Sequence, residues 1–206
     1  MKKKLFTADN YKHDPFELFE SVSTIDSLAQ LRRDDSVVIF WGGQDIPPSL
    51  YGEVPNKHVF TTIPSARDLR ELTIMRYCLK HDIPMIGICR GAQLLCAVTG
   101  GKLAQHIDGH GTAHKVTLHD EGNAVISCNS SHHQMMFPSS DARVLASAES
   151  TPGMNQFNHI VKHDRVNEVV VWPHYRSIGI QPHPEWNNCP KQFVDYCKRK
   201  IQEYIL

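Results

Sequence analysis

Two stretches of the chain run apolar with no polar alternation: SVVIFW at residues 36–41 and PMIGI at residues 84–88. Alternation would mark a strand with one wet face. An unbroken β-branched or aliphatic run of this length marks a strand buried on both faces. The first run stops at Gly42-Gly43, a turn. Elsewhere the apolar positions take helical spacing. Leu72, Met75 and Leu79 stand at i, i+3 and i+7 behind Ser65, an N-cap residue type, with Asp68 near the positive end of the predicted helix. A second helix is predicted over 90–99, ended by Gly100-Gly101. Phe193, Cys197 and Ile201 recur at i, i+4 and i+8 and predict a C-terminal helix. Phe16, Leu18, Phe19, Ile25, Leu28 and Leu31 suggest another helix ahead of the first buried strand. Residues 4–7 suggest a short strand, as do 115–118, 124–128, 143–148, 168–172 and 177–181. Residues 43–65 hold four prolines and little periodicity. They read as a long loop, and long loops in compact domains are often functional.

Strand–helix alternation in the first half predicts a mostly parallel central sheet flanked by helices, and the second half adds antiparallel strands. The fold class is α/β, and 206 residues without a composition break fit one domain over 1–206.

Charge changes this picture little. Lys+Arg and Asp+Glu are both 22, so the basic excess of a nucleic-acid partner is missing. The N-terminal MKKKLFTADNYKHD has basic residues but no apolar run behind them, so no secretion signal is expected. No stretch approaches the ~18 apolar residues of a membrane span. The six cysteines are scattered without paired spacing, which suits reduced thiols in a cytoplasmic setting. Asn129-Ser130-Ser131 fits a glycosylation sequon, read as accidental in that setting.

One cysteine is placed for chemistry. In GICRGAQ, Cys89 falls between a buried strand and the first turn of a helix. A helix N-terminus offers unpaired N–H groups and partial positive charge, which favour a thiolate and can hold an oxyanion. Gly87-Ile88-Cys89-Arg90-Gly91 is the thiol version of the nucleophile elbow. By itself the motif leaves open a buried structural cysteine. A thiol nucleophile needs a base, and GIQPHPEW at 179–186 supplies His183 between two prolines. Glu185 lies two residues on, on the same side of an extended segment, where it can orient the ring.

These segments together resemble the class I glutamine amidotransferase superfamily, and most of all its γ-glutamyl hydrolase branch, which includes the γ-glutamyl-γ-aminobutyrate hydrolases. Four stretches carry the likeness in order: GGQDIPPSLYG (42–52), the run from Ala66 to Ile107 around the elbow, NSSHHQ (129–134) and GIQPHPEW. The resemblance implies a flavodoxin-like amidotransferase fold and a triad of Cys89, His183 and Glu185. It implies an oxyanion hole from the backbone N–H groups of Gly43 and Arg90. It also implies that Gln93, with the backbone around Ser130, Ser131 and His132, holds a glutamyl group. No metal or organic cofactor is implied. Pro182 stands where relatives commonly carry an aromatic residue, and Cys96 where they often carry Asn, so the pocket wall differs.

Two other features bear on chemistry. His110, His114, His132 and His133 cluster in the sequence, but without H-E-x-x-H or paired cysteines they are expected to be solvated loop residues rather than metal ligands. The Arg90 side chain is free to pair with a carboxylate such as Asp68. The expected activity is hydrolysis of a γ-glutamyl C–N bond in a small-molecule substrate. The alternative is a glutaminase subunit that passes ammonia from glutamine to a synthase partner. A catalytically dead binding module on the same fold is the third reading, disfavoured by the intact triad. The sequence carries no statement about oligomeric state.

Overall fold

The structure is a computed structural model that describes residues 2–149, 152–154, 160–162 and 165–206. Its centre is a nine-stranded sheet. The strands in chain order are β1 (Lys4–Thr7), β2 (Val22–Thr24), β3 (Ser36–Phe40), β4 (Met85–Ile88), β5 (His114–Leu118), β6 (Ala124–Cys128), β7 (Arg143–Glu149), β8 (Arg165–Trp172) and β9 (Ser177–Ile180). Their spatial order is β2-β1-β3-β4-β9-β8-β7-β5-β6. From β2 to β9 all neighbours are parallel; from β9 to β6 all are antiparallel. A mixed α/β sheet of this kind is what the sequence implied, except that β9 of the second half joins the parallel strands of the first through β4.

Among the described residues three α-helices cover the sheet: α1 (Ala66–Lys80), α2 (Arg90–Val98) and α3 (Lys191–Tyr204). The unbroken apolar strands explain how. Val38 and Phe40 of β3 pack in one core with Leu72, Met75, Leu94 and Leu95 of α1 and α2. Val37 and Ile39 pack in a second core with Phe193, Cys197 and Ile201 of α3. Successive residues of one strand thus feed opposite faces, and both faces are dry. Helix α1 starts at a capping box, in which Ser65 accepts from Asp68 N–H and the Asp68 carboxylate accepts from Ser65 N–H.

The helix suggested by Phe16 to Leu31 does not form. The Asp14 carboxylate accepts from the N–H groups of Phe16, Leu18 and Phe19, and Glu17 takes a positive φ of 53°. Side-chain capture of those donors competes with a helix. Phe16, Leu18 and Phe19 are buried all the same, and Val22–Thr24 becomes the edge strand β2. Short strands at Lys102–Ala104, His106–Ile107 and Met135–Phe137 were not foreseen. Each has two or three residues, too few for a period to show.

Candidate active site

Strands β4 and β9 lie side by side at the middle of the sheet, in register at Ile86↔Ile178 and Ile88↔Ile180. One residue past β4 comes Cys89, and three past β9 comes His183. Ligands of open α/β sheets bind at this edge, outside the carboxyl ends of the strands. The turn into α2 is sharp: Cys89 takes φ 49° and ψ −109°, and its N–H donates to the Ile180 carbonyl at 2.7 Å. A non-glycine residue held so is strained, and such strain gathers at functional positions. The turn depends on Gly91, because a Cβ there would stand 2.2 Å from the Phe40 carbonyl oxygen. The N–H groups of Arg90 and Gly91 open α2, where no intrahelical acceptor exists for them.

His183 faces this thiol across Gly42. Its Nδ1 lies 2.8 Å from Glu185 Oε1, and its ring stacks on Trp186 with centroids 3.9 Å apart and planes 9° from parallel. Burial of the ring disfavours its charge. The bonds to Cys89 and Glu185, and their negative charges, outweigh that and hold its pKa up at about 9. Burial pushes Cys78 and Cys96 up to about 12 and Cys189 to about 11, so they remain inert thiols at neutral pH.

Gly42 closes the site from β3. A Cβ there would meet His183 Cε1 at 2.9 Å and Cys89 Cβ at 3.6 Å, so the peptide joining Gly42 to Gly43 borders both reacting side chains. A cleft of about 310 Å³ opens in front of it, walled by Asp9, Tyr11, Trp41 and Trp186 along with His183 and Glu185. Asp9 and Tyr11, from the loop after β1, had no signal in the sequence.

The Arg90 side chain turns away from the thiol. It is buried and pairs with both Asp68 and Glu71 of α1, which ties the elbow helix to its neighbour. Asp68 is also buried. Burial opposes its charge, but the Ser65 hydrogen bonds and the Arg90 guanidinium hold its carboxyl below the usual range. Gln93 is buried on α2, and its Nε2 donates to Gln181 Oε1 at 3.3 Å, just ahead of His183.

The loop at 129–134 meets the site through a residue that the sequence did not single out for chemistry. Asn129 Nδ2 donates to the His183 carbonyl at 2.8 Å, and His183 N–H donates to Asn129 Oδ1 at 3.1 Å. Asn129 is buried, which agrees with reading its sequon as accidental. Ser130 is buried with its hydroxyl donating to the His110 carbonyl, whereas Ser131 is exposed. His132 is buried as well, its N–H donating to the His110 carbonyl at 3.1 Å. The expectation of solvated histidines is therefore corrected. His110, His114 and His132 converge on the buried Glu168 of β8, while His133 turns away to Asp45 at 2.9 Å. The histidines stood together in the sequence; Glu168, which gathers three of them, lies far along the chain and gave no local sign of doing so.

Comparison with known proteins gives the chain a family. The family model described as Peptidase C26 matches residues 23–185. A candidate glutamine amidotransferase of Schizosaccharomyces pombe is 29% identical over 167 residues, covering 72% of this chain and 61% of that protein. The chain thus spans less than two thirds of that relative's length. The γ-glutamyl-γ-aminobutyrate hydrolase of Escherichia coli is 26% identical over 203 residues, covering 82% of this chain and 74% of its own. Among solved structures, a candidate GMP synthase component from Thermoplasma acidophilum superposes with a TM-score of 0.62 at 15% identity, over 98% of both chains. At that identity the likeness concerns the fold, which is that of the class I glutamine amidotransferases. No helix among the described residues is long and apolar enough to cross a membrane.

Proposed function

Because the chain belongs to the peptidase C26 family, we propose that it is a cysteine hydrolase that cleaves a γ-glutamyl C–N bond and releases glutamate and an amine. The observation that carries this reading is the strained Cys89 turn at a helix N-terminus, facing a histidine held by Glu185. The cysteine Sγ, as thiolate, attacks the γ-amide carbon, and the charge passes to the amide oxygen. Two N–H groups serve as the oxyanion hole: Arg90, the first residue of α2, and Gly43, across the thiol. Each such donor typically contributes ~10²–10³ in rate. The His183 imidazolium then gives its Nε2 proton to the leaving nitrogen as the C–N bond breaks, leaving a glutamyl thioester. Water attacks the thioester carbon, His183 takes its proton, and the C–S bond breaks to free glutamate. Glu185 accepts from Nδ1–H throughout and keeps Nε2 toward the reaction.

In this reading Gln93 and the loop at 130–132 hold the glutamyl group, and the departing amine leaves by the cleft beside Trp41 and Trp186. The test is glutamate release by purified protein, given γ-glutamyl amines or glutamine. Turnover of substituted amides with poor turnover of glutamine supports the proposal. Glutaminase activity that appears only with an added synthase supports the glutamine amidotransferase reading, which the name of the S. pombe relative favours.

A further inference from the structure

Glu168 is fully buried, and three imidazoles converge on its carboxylate. His114 Nε2 is 3.0 Å and His110 Nδ1 3.3 Å from Oε1; His132 Nε2 is 3.4 Å from Oε2. The proton positions on these rings are constrained from behind. His132 Nδ1 lies 2.9 Å from the Gln134 carbonyl, and His114 Nδ1 lies 3.2 Å from the Thr112 carbonyl. A carbonyl only accepts, so each Nδ1 carries the proton, and a neutral ring then presents an Nε2 lone pair. Both lone pairs point at a carboxylate, which also only accepts. His110 Nδ1, His132 Nε2 and Glu168 Oε2 are buried and have no hydrogen-bond partner among the described residues.

Protons alone can satisfy this carboxylate only if His114 and His132 are both charged, since His110 can donate from Nδ1 as a neutral ring; that sets two cations around one buried anion, at a desolvation cost of several kcal/mol per ion. One divalent ion instead uses the lone pairs as they point. We propose that His110, His114, His132 and Glu168 form a Zn²⁺ site.

The donor set fits. Bonds of about 2.0–2.2 Å put neighbouring donors of a tetrahedral zinc site about 3.3–3.6 Å apart; His114 Nε2 and His110 Nδ1 stand 3.0 and 3.3 Å from Glu168 Oε1, and His132 Nε2 stands 3.4 Å from the other oxygen, Oε2. All four donor atoms lie within 4.8 Å of one another. Three imidazoles and one carboxylate disfavour Ca²⁺ and Mg²⁺, which take oxygen. The Nδ1–H donation to Gln134 and Thr112 carbonyls is the outer-shell support usual for metal-bound histidine. A surface cleft of about 440 Å³, lined by His110, His114, Lys115 and Glu149 among others, gives an entry path.

Four protein ligands close the coordination sphere, so the role is structural. The ion would fasten two loops to β8. One loop carries Ser130 and His132, and its Asn129 clamps His183. Zinc therefore acts on the active site through loop position and takes no part in bond making.

The test is zinc and cobalt binding by the chelator-stripped 206-residue chain, in a Cys89→Ser background so that the thiol cannot serve as ligand. The site requires one zinc per chain, a raised thermal midpoint with Zn²⁺, and a tetrahedral Co²⁺ spectrum lacking thiolate charge transfer. His114→Ala, at a partly exposed position, and Glu168→Gln should weaken binding by more than the ~10–100-fold typical of an outer-shell loss. No stoichiometric binding at micromolar metal, or binding unchanged in folded His114→Ala, overturns the proposal and leaves a plain histidine–carboxylate network. If a variant fails to fold, the Co²⁺ spectrum of the Cys89→Ser chain decides.

Discussion

Asn129 grips the backbone of His183 with both ends of one amide, donating at 2.8 Å and accepting at 3.1 Å. The imidazole is thus fixed twice, by Glu185 through its ring and by Asn129 through its main chain. Neither amide bond survives truncation. Asn129→Ala is expected to lower kcat by ~10–100-fold through misplacement of the ring. It should also cost ~1–3 kcal/mol, since buried backbone groups lose their partners. Steady-state kinetics with urea denaturation checks both.

The pH profile carries a second expectation. His183 has a folded pKa of about 9, above the ordinary 6.5. Its proton is needed on the leaving amine, so kcat/KM should hold through neutral pH and fall as pH rises through about 9. Stability follows the same sign: the contribution is complete below about pH 6.5 and is lost as the pH climbs through about 9. Glu185→Gln removes one of the groups raising this pKa and should move the alkaline limb to lower pH. A limb unmoved in Glu185→Gln contradicts the assignment of Glu185 as orienter.

The Gly42 contact separates chemistry from folding. Its missing Cβ leaves room for His183 Cε1, which a methyl group would approach to 2.9 Å. Gly42→Ala should therefore displace the ring and cut kcat at least ~10-fold, with a thermal midpoint close to wild type. Gly91→Ala meets the Phe40 carbonyl oxygen at 2.2 Å, where backbone has no room to give, and should lose the fold as well.

Arg90 is held between two buried carboxylates. Arg90→Ala leaves Asp68 and Glu71 without that cation, and breaking such a pair costs ~3–5 kcal/mol. The backbone N–H of residue 90 stays in place, so any folded fraction should retain activity. Denaturation curves and activity per folded molecule, measured together, test this.

What could be read in the sequence follows from how local each signal was. The buried strands β3 and β4, helices α1, α2 and α3, and the elbow at Cys89 rest on short runs of neighbouring residues, where period and capping have room to show. The 16–31 segment misled because Asp14 diverted its N–H groups, a competition invisible to apolar spacing. Asn129, Asp9 and Tyr11 reach the site from distant loops, and the His110–His114–His132–Glu168 cluster is assembled only by sheet order. The Arg90 to Asp68 pairing was foreseen as one option; its second partner, Glu71, was not.

The most direct test of the proposed chemistry is a mass measurement on acid-quenched protein during turnover of a γ-glutamyl amide. The expected result is a glutamyl adduct, one per chain, on the peptide containing Cys89, absent from Cys89→Ser along with all glutamate release. Full activity in Cys89→Ser, or an adduct on any other residue, would contradict it.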